Sequence, residues 1–446
     1  MERHTLAEIA AYLGKNAPEW AHIAICGLEK DHRNVRPNDL FIAIRGERFD
    51  GHDFVCAAAE NGAAAALVEH EVAECPIPQL VVSDTVRGLQ AIAAGYRREF
   101  SPHVVGVTGS VGKTTTKEMI ASVLSMKYQT LKTSGNQNNE IGLPFTVCNL
   151  TRDHEAAVIE MGMNHFGELS RLTRVAQPEI AVISVIGESH IEFLGSKEGI
   201  LRAKLEILEG LSPDGCVILN GDDPMLWALR GTLPFETIYY GAQNPEVQVF
   251  GSASGASLEQ IYFTVRELAG EEFCIHCGGL HNLQNALAAI AVGRRLGLNA
   301  DELRRGLAVF ENTGMRQKII EIQGKTIIND SYNANPDSML AALNVLSQAP
   351  GRRIAVLADM LELGEHAPCA HRTLGEQARE RADLIFVTGD WRDAVAQGAD
   401  GADVRTFDDV DALSAALAHE WRTGDTVLVK ASRGMRLERV VDALCE

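Results

Sequence analysis

Long hydrophobic runs are missing from this sequence of 446 residues. Its longest apolar stretches, such as residues 180–186, are far shorter than the about 20 residues that a membrane-spanning helix needs. The first residues also lack the basic segment and apolar core of a secretory signal. We therefore expect a cytoplasmic protein without a membrane span.

Positive charge is scarce as well. The chain has 41 Lys and Arg residues against 60 Asp and Glu residues, which gives a formal net charge of −19. A nucleic-acid-binding protein would show a basic domain or stripe, so this class is excluded. An anionic nucleotide is a different case, because a few cationic groups and backbone N–H groups within one cleft can reverse the local potential.

A second pair of cysteines, which a structural zinc site would need, is also missing, although the chain has nine cysteines. Cys274 and Cys277 lie close together, and His281 follows them. The next cysteine is Cys369, whereas a structural zinc site needs a second pair at comparable spacing. We interpret the cysteines as reduced thiols, as is usual in a protein without a secretory signal.

The chain is too long for one hydrophobic core, and its length suggests roughly three domains. Residues 1–83 mix short helices with short strands and predict a small α/β domain. Residues 84–312 alternate apolar strands with helices, which favours a central P-loop domain built on a mostly parallel sheet. Residues 313–446 repeat this alternation and predict a C-terminal Rossmann-like domain. The predicted fold class is therefore α/β.

A glycine-rich loop between a strand and a helix is the strongest local signal. It follows the buried-strand pattern of residues 103–108 and contains the residues Thr108, Gly109, Ser110, Val111, Gly112, Lys113, Thr114 and Thr115. Such a loop directs backbone N–H groups and a helix N-terminus at phosphate oxygens. Lys113 would reach the terminal phosphates of a nucleoside triphosphate, and Thr114 would ligate Mg²⁺. The Asn-Lys-x-Asp motif of a GTPase is absent.

Two further strands end in candidate metal ligands. Glu160 closes the apolar run that begins at residue 156, and His190 follows the run of residues 180–186. Loops at the carboxyl ends of parallel strands share one crevice, so Thr114, Glu160 and His190 are candidates for a joint Mg²⁺ site. Taken singly, His190 also fits a hydrogen-bonded loop residue, and Glu160 fits a helix cap or an ion pair.

Several motifs together resemble those of the Mur ligases. They are Thr108-Gly-Ser-Val-Gly-Lys-Thr-Thr115, Asn136-Gln-Asn-Asn-Glu-Ile-Gly-Leu-Pro144, Glu160-Met-Gly162 and His281-Asn-Leu-Gln-Asn285. Residues 40–54, 330–336 and 359–364 are similar to the member that adds D-alanyl-D-alanine to UDP-N-acetylmuramoyl-tripeptide. The resemblance extends from about residue 31 to residue 433.

The resemblance implies roles for individual residues. The catalytic set is Lys113, Glu160, His190 and Lys204, and Lys204 would be carbamylated to supply an anionic oxygen for a second Mg²⁺. ATP would also contact His281, Asn282, Asn285, Arg316 and Asp330. The remaining substrate contacts would be Asp31, Arg33, Arg45, Asn138, Asn139, Asn333 and Asn335. His32 departs from the family, which often has a small residue between Asp31 and Arg33.

The implied reaction is the ATP-dependent formation of a peptide bond through an acyl phosphate, with release of ADP and phosphate. We expect a monomer. Two alternatives remain open from the sequence. One is a sibling ligase that adds a single amino acid to a UDP-muramoyl peptide or glutamate to a folate. The other is a non-catalytic module that binds ATP as a switch.

Overall fold

The computed structural model describes residues 1–312 and 314–445. Thr313 and Glu446, the first and last residues of the predicted C-terminal domain, lie outside this range. The chain divides into two compact units. Unit 1 contains residues 1–108, 128–181 and 205–216, and unit 2 contains residues 109–127, 182–204 and 217–446.

Strands and helices alternate along the chain. The strands are β1 (His4–Thr5), β2 (Ala24–Ile25), β3 (Gly27–Glu29), β4 (Asp39–Ile42), β5 (Ala65–Val68), β6 (Gln79–Val81), β7 (His103–Thr108), β8 (Thr130–Lys132), β9 (Ala156–Glu160), β10 (Ile180–Ile183), β11 (Cys216–Asn220), β12 (Glu236–Gly241), β13 (Val249–Ala256), β14 (Ile261–Val265), β15 (Glu272–Ile275), β16 (Lys318–Ile322), β17 (Lys325–Asn329), β18 (Arg353–Leu357), β19 (Leu384–Thr388), β20 (Val404–Phe407) and β21 (Thr426–Lys430).

The helices lie between these strands. They are α1 (Leu6–Tyr12), α2 (Val55–Glu60), α3 (Thr85–Arg97), α4 (Lys113–Leu124), α5 (Gly142–Val147), α6 (Glu168–Ala176), α7 (Ile191–Leu194), α8 (Lys197–Leu205), α9 (Pro224–Trp227), α10 (His281–Arg295), α11 (Ala300–Ala308), α12 (Pro336–Leu346), α13 (Ala367–Arg379), α14 (Arg392–Gly398), α15 (Val410–Glu420) and α16 (Glu438–Cys445). In the described ranges, none of them is long and apolar enough to cross a membrane. The predicted α/β class is confirmed.

Unit 1 begins with a small parallel sheet in the strand order β3-β4-β5-β6. Side chains of β4 alternate between its two faces, as the twofold repeat of a strand requires. Leu40 and Ile42 pack in one apolar cluster, and Phe41 and Ala43 pack in another. Both faces are therefore covered, which explains why residues 40–43 are all apolar.

Helix α3 packs its apolar face in the first of these clusters, the one that contains Leu6 and Leu40. The helix residues that join it are Leu89 and Ile92. The domain boundary predicted after residue 83 is not decided by this packing and stays a prediction.

The second part of unit 1 contains β7, β9 and β8, which pair in parallel in that order. Val107 is in register with Glu160, so the carboxyl ends of β7 and β9 lie at the same edge. The Thr108 hydroxyl donates to the Met161 carbonyl at 2.9 Å, which ties the two strand ends together. Glu160 thus lies where the sequence pattern placed it, at a strand's carboxyl end.

Unit 2 contains an antiparallel segment that the sequence analysis did not predict. Strands β13, β14 and β15 pair antiparallel in succession, while β12 pairs in parallel with β13. Exposed and buried residues alternate along β14, the pattern of a sheet with one face in solvent. Cys274 lies in β15, and all nine cysteines are free thiols.

The last part of unit 2 is a six-stranded sheet with the order β16-β17-β21-β18-β19-β20. All neighbouring strands are parallel except β16 and β17. One face packs Ile327, Val356 and Phe386 against Leu413 of α15 and Val440 of α16. The predicted Rossmann-like arrangement is confirmed, with β16 and β20 as additional edge strands.

Candidate active site

The glycine-rich loop leads directly into α4. Gly112 has a φ of 84°, a left-handed conformation that glycine adopts without strain. A Cβ at this position would lie 2.7 Å from the Asn285 side-chain oxygen, so the close approach also requires glycine. The loop therefore presents the N-terminus of a 12-residue helix, whose partial positive charge favours an anion.

Two side chains of this loop, those of Lys113 and Ser110, differ in their hydrogen bonding. Lys113 Nζ donates to the Gly109 carbonyl at 2.8 Å and lies 3.4 Å from the Ser110 carbonyl, so the amine is held over its own loop. The Ser110 hydroxyl is buried and has no hydrogen-bond partner within the described part of the chain. Because buried polar atoms are nearly always paired, this hydroxyl is a candidate ligand contact.

Lys204 lies on α8 with its side chain 1% exposed. Burial lowers its pKa well below the ordinary value, and the positive charge of Lys113 lowers it further. Both effects favour the neutral form of the amine, the form that takes up CO₂. The burial excludes an ordinary exposed lysine at this position of the helix.

Glu160 is oriented by two groups of unit 1. Its Oε1 accepts from the Asn138 amide at 2.7 Å, and its backbone N–H donates to the Thr133 hydroxyl at 3.0 Å. Its Oε2 is buried and has no partner among the residues described. Asn138 thus holds a carboxylate whose second oxygen is left for a cation, and a hard oxygen donor suits Mg²⁺.

His190 pairs with a carboxylate that the sequence analysis did not single out. Its Nδ1 lies 2.5 Å from Glu362 Oε2, and the two residues are 172 positions apart. Both have left-handed backbones, with φ of 63° in each case. The only sequence signal for Glu362 is its place in the motif of residues 359–364.

Residues 187–190 form the His190 loop. Side chains from the C-terminal part of the chain contact successive residues of this loop. The Glu188 N–H donates to Asp337 Oδ2 at 3.3 Å, and the Asn335 amide donates to the Ser189 hydroxyl. The Ser189 hydroxyl donates in turn to the Ser110 carbonyl of the phosphate loop at 3.2 Å. Asn335, predicted as a substrate contact, therefore holds this loop.

Two of the three predicted ATP contacts on α10, Asn282 and Asn285, belong to a chain of buried amides. The Thr116 hydroxyl donates to the Asn285 oxygen at 3.0 Å, and the Asn285 amide donates to the Asn282 oxygen at 2.9 Å. Asn282 then donates to the Gln317 oxygen at 3.0 Å. These bonds give both asparagines a structural role, and their contact with ATP stays a prediction.

Asp330 pairs with Lys430 at 2.6 Å, with both side chains largely buried. Lys430 also donates to the Asn333 carbonyl at 3.0 Å, so it links two predicted site residues. The guanidinium of Arg316 lies 4.0 Å from the centre of the Tyr332 ring. The sequence patterns did not assign this contact of Lys430 with two predicted site residues.

The candidate substrate residues of the first domain lie in unit 1. Asp31 binds the Arg33 guanidinium at 2.6 Å, and Arg45 binds Asp50 at 2.9 Å. His32 stacks on the Phe54 ring at 4.6 Å with an angle of 3° between the planes. In the same unit Asn139 Oδ1 accepts two backbone N–H groups and caps the following turn. Their substrate contacts stay predictions.

Residues 1–312 and 314–445 contain no group of three His, Cys, Asp or Glu side chains arranged to hold a metal. The predicted Mg²⁺ set has only two residues of these types, Glu160 and His190. Its other members are the hydroxyl of Thr114 and the amine of Lys204, which would become a ligand only as a carbamate. The prediction that these four residues act together is therefore not decided by this finding.

Comparison with known proteins places this chain in a family. The model of the Mur ligase middle domain matches residues 107–293, and that of the Mur ligase glutamate ligase domain matches residues 315–433. The Mur ligase catalytic-domain model matches residues 24–97. A UDP-N-acetylmuramoyl-tripeptide--D-alanyl-D-alanine ligase of Bacillus subtilis (strain 168) is 41% identical, covering 96% of this chain and 95% of the relative. The chain belongs to the Mur ligase family.

Other proteins agree with this assignment. The ligase of the same name from Escherichia coli (strain K12) is 35% identical, covering 96% of this Mur ligase and 95% of the relative. A crystal structure of MurF from Acinetobacter baumannii matches with a TM-score of 0.92 at 31% identity, covering 100% and 99% of the two chains. MurF from Thermotoga maritima in complex with ADP matches with a TM-score of 0.83 at 31% identity, covering 94% and 96%.

A prediction follows from the close packing of the His190 loop. A Cβ at Gly187 would lie 2.1 Å from Asp337 Oδ2, so Gly187→Ala should push this carboxylate away from the Glu188 N–H. The loss of this bond should cost about 1 kcal/mol of stability. Asp337→Ala removes the same bond, so the double variant should lose less than the sum, with a coupling of about 0.5 kcal/mol or more. Additive losses in urea unfolding would contradict this contact.

The pH dependence of stability follows from His281. Burial is the main reason that the pKa of His281 is lowered to about 4. The unfolded chain binds this proton from about pH 6.5 downwards, and the folded chain does so only near pH 4. The free energy of unfolding should therefore fall as the pH drops through this window, by a contribution on the order of 2 kcal/mol.

His281→Gln should remove this contribution, and urea unfolding at a series of pH values measures it. His276→Gln, at an exposed position in the same segment, is the matched control and should leave the pH dependence unchanged. An equal pH dependence in wild type and His281→Gln would show that His281 titrates normally in the fold.

Proposed function

We propose that this Mur ligase joins D-alanyl-D-alanine to UDP-N-acetylmuramoyl-tripeptide, with ATP as the energy source and ADP and phosphate as products. The observation that carries the reaction class is the phosphate loop of unit 2, with the buried neutral amine of Lys204 beside the charge of Lys113. The substrates are proposed from the names of the relatives that match this chain from end to end.

Each residue of the loop has a proposed part in phosphoryl transfer. The N–H groups at the start of α4 and the Ser110 hydroxyl bind phosphate oxygens, and Lys113 turns from its own loop carbonyls to the terminal phosphate. Mg²⁺, which neutralises the charge of the phosphates when bound, would be held by Thr114, Glu160, His190 and a carbamate on Lys204. We propose two ions, because a carbamate adds a second anionic oxygen ligand to that of Glu160.

The reaction itself needs no covalent participation of the protein. The terminal carboxylate of the tripeptide attacks the γ-phosphorus of ATP, which gives an acyl phosphate and ADP. The amine of D-alanyl-D-alanine then attacks the acyl carbon, loses a proton, and expels phosphate. The side chains position these groups and stabilise the charge that develops on them.

The substrate residues complete the proposal. Asp31, Arg33 and Arg45 would contact the UDP sugar, as would Asn139, while Asn138 would act through Glu160. Around ATP, Arg316 and Asp330 would bind phosphate and ribose, with His281, Asn282 and Asn285 near the base. Asn333 and Asn335 would face the acceptor. We propose domains at residues 1–83, 84–312 and 313–446, and a monomer that acts in the cytoplasm.

Release of ADP with different acceptors tests this function. With UDP-N-acetylmuramoyl-tripeptide and ATP present, D-alanyl-D-alanine should drive ADP release at least about 100-fold better than D-alanine, L-alanine or D-glutamate. A site built for a dipeptide leaves polar groups unpaired when a shorter acceptor binds, and that penalty is large. Preference for a free amino acid would move the protein to a sibling reaction, and ADP release that no acceptor changes would contradict the ligase assignment.

A further inference from the structure

The contact between His190 and Glu362 is unusual in its backbone as well as in its side chains. Both residues are non-glycine residues with a φ of 63°. Such left-handed conformations are strained by about 1 kcal/mol or more each, and they persist where the surroundings fix them. The side chains of these two strained residues are 2.5 Å apart, measured from His190 Nδ1 to Glu362 Oε2. The surrounding structure therefore holds both residues in place.

The backbone in front of Glu362 is fixed by hydrogen bonds to other elements. The Met360 N–H donates to His371 Nε2 at 2.9 Å, and the Leu361 N–H donates to the Ser432 hydroxyl at 2.9 Å. The other ring nitrogen of His371 lies 2.7 Å from a backbone carbonyl, so this histidine cannot turn away without losing a bond. Glu362 is therefore presented from a rigid support although its own side chain is 43% exposed.

The His190 loop is also held in place by hydrogen bonds. Asp337 accepts from the N–H of Glu188, and the Asn335 amide binds the hydroxyl of Ser189. Both residues before His190 are thus held by side chains at the N-terminal end of α12. These two hydrogen bonds restrict the loop that places the imidazole of His190 beside Glu362.

A carboxylate opposite Nδ1 decides which imidazole nitrogen carries the proton. In the neutral imidazole a proton at Nδ1 is donated to Glu362, so Nε2 keeps its lone pair and can bind a cation. The opposite tautomer would present an N–H at Nε2 and would repel a metal ion. We infer that Glu362 is a positioning residue, which fixes the tautomer and the orientation of His190 so that Nε2 serves as a ligand. The inference rests on the metal-binding role proposed above for His190.

The first test observes the tautomer without any metal. In protein labelled with ¹⁵N at histidine, the His190 resonances are identified by their loss in His190→Gln. Wild type should show the Nδ1–H form, and Glu362→Ala should show substantial Nε2–H form, as in free imidazole. Glu362→Gln should be intermediate, because its amide offers both an acceptor and a donor. A predominant Nε2–H form in wild type, or an unchanged spectrum in Glu362→Ala, would overturn the inference.

The second test measures the affinity for Mn²⁺, which serves as a probe for Mg²⁺, in the presence of ADP. The electron paramagnetic resonance signal of unbound Mn²⁺ gives the apparent Kd. Glu362→Ala should raise the apparent Kd by about 10- to 100-fold, the usual effect of removing a carboxylate behind a histidine ligand. Glu365→Gln removes an exposed carboxylate three residues on and should leave the Kd unchanged.

The outcomes separate the two levels of the proposal. If His190→Ala weakens Mn²⁺ binding but Glu362→Ala does not, the positioning role is wrong and the metal site stands. If His190→Ala has no effect, the metal role of His190 fails, and the positioning role fails with it. Thermal unfolding of each variant shows whether the change is local, because a purely structural role for Glu362 would lower Tm without changing the Kd.

Discussion

The amine of Lys204 lies inside unit 2, where water cannot solvate a positive charge. A buried ammonium group beside a second cation is costly, so burial lowers the pKa of Lys204 and favours the neutral amine, and the positive charge of Lys113 adds to the effect. A neutral amine is a nucleophile toward CO₂, and an exposed lysine at neutral pH is not. The chemistry proposed for this site depends on that burial, and α8 provides it by turning Lys204 inward with Ile200 and Ala203.

Predicted site residues in each of the two units also have polar side-chain atoms that are buried and unpaired within the residues that the structure describes. Ser110 and Glu160 account for two of the five buried side-chain polar atoms without a partner in the described part of the protein. Each unmade hydrogen bond costs about 1–3 kcal/mol, so these atoms lower the stability of the free protein. A ligand that contacted either atom would offset its cost, which is the physical reason to propose a ligand contact for each of them.

Much of the fold follows from local patterns. The buried-strand pattern of residues 103–108 and the apolar run from residue 156 to Glu160 predict β7 and β9 to the residue, because parallel strands are buried on both faces. The phosphate loop is equally local, since its glycines, lysine and helix are contiguous. The antiparallel strands β13–β15 escape this reasoning because their alternation is short and one face is exposed.

Several contacts of the predicted site residues cannot be predicted from a local sequence pattern. Glu362 and His190 are far apart in the sequence, and only the packing of the His190 loop brings them together. Lys430 pairs with Asp330 across 100 positions in the same way. The burial of Lys204 is also not visible in its helix, where the resemblance to the family was needed to select it. Long-range pairing, and not residue type, decides these contacts.

The carbamate proposed on Lys204 can be tested directly by ¹³C NMR. Protein equilibrated with ¹³C-bicarbonate should show a carbamate resonance in wild type, and Lys204→Met should lose it. Lys197→Met is the matched control, because Lys197 lies on the same helix with its side chain 44% exposed, and this variant should keep the resonance. Carbamylation of Lys204 is contradicted if folded wild-type protein shows no carbamate signal, or if the signal persists in Lys204→Met.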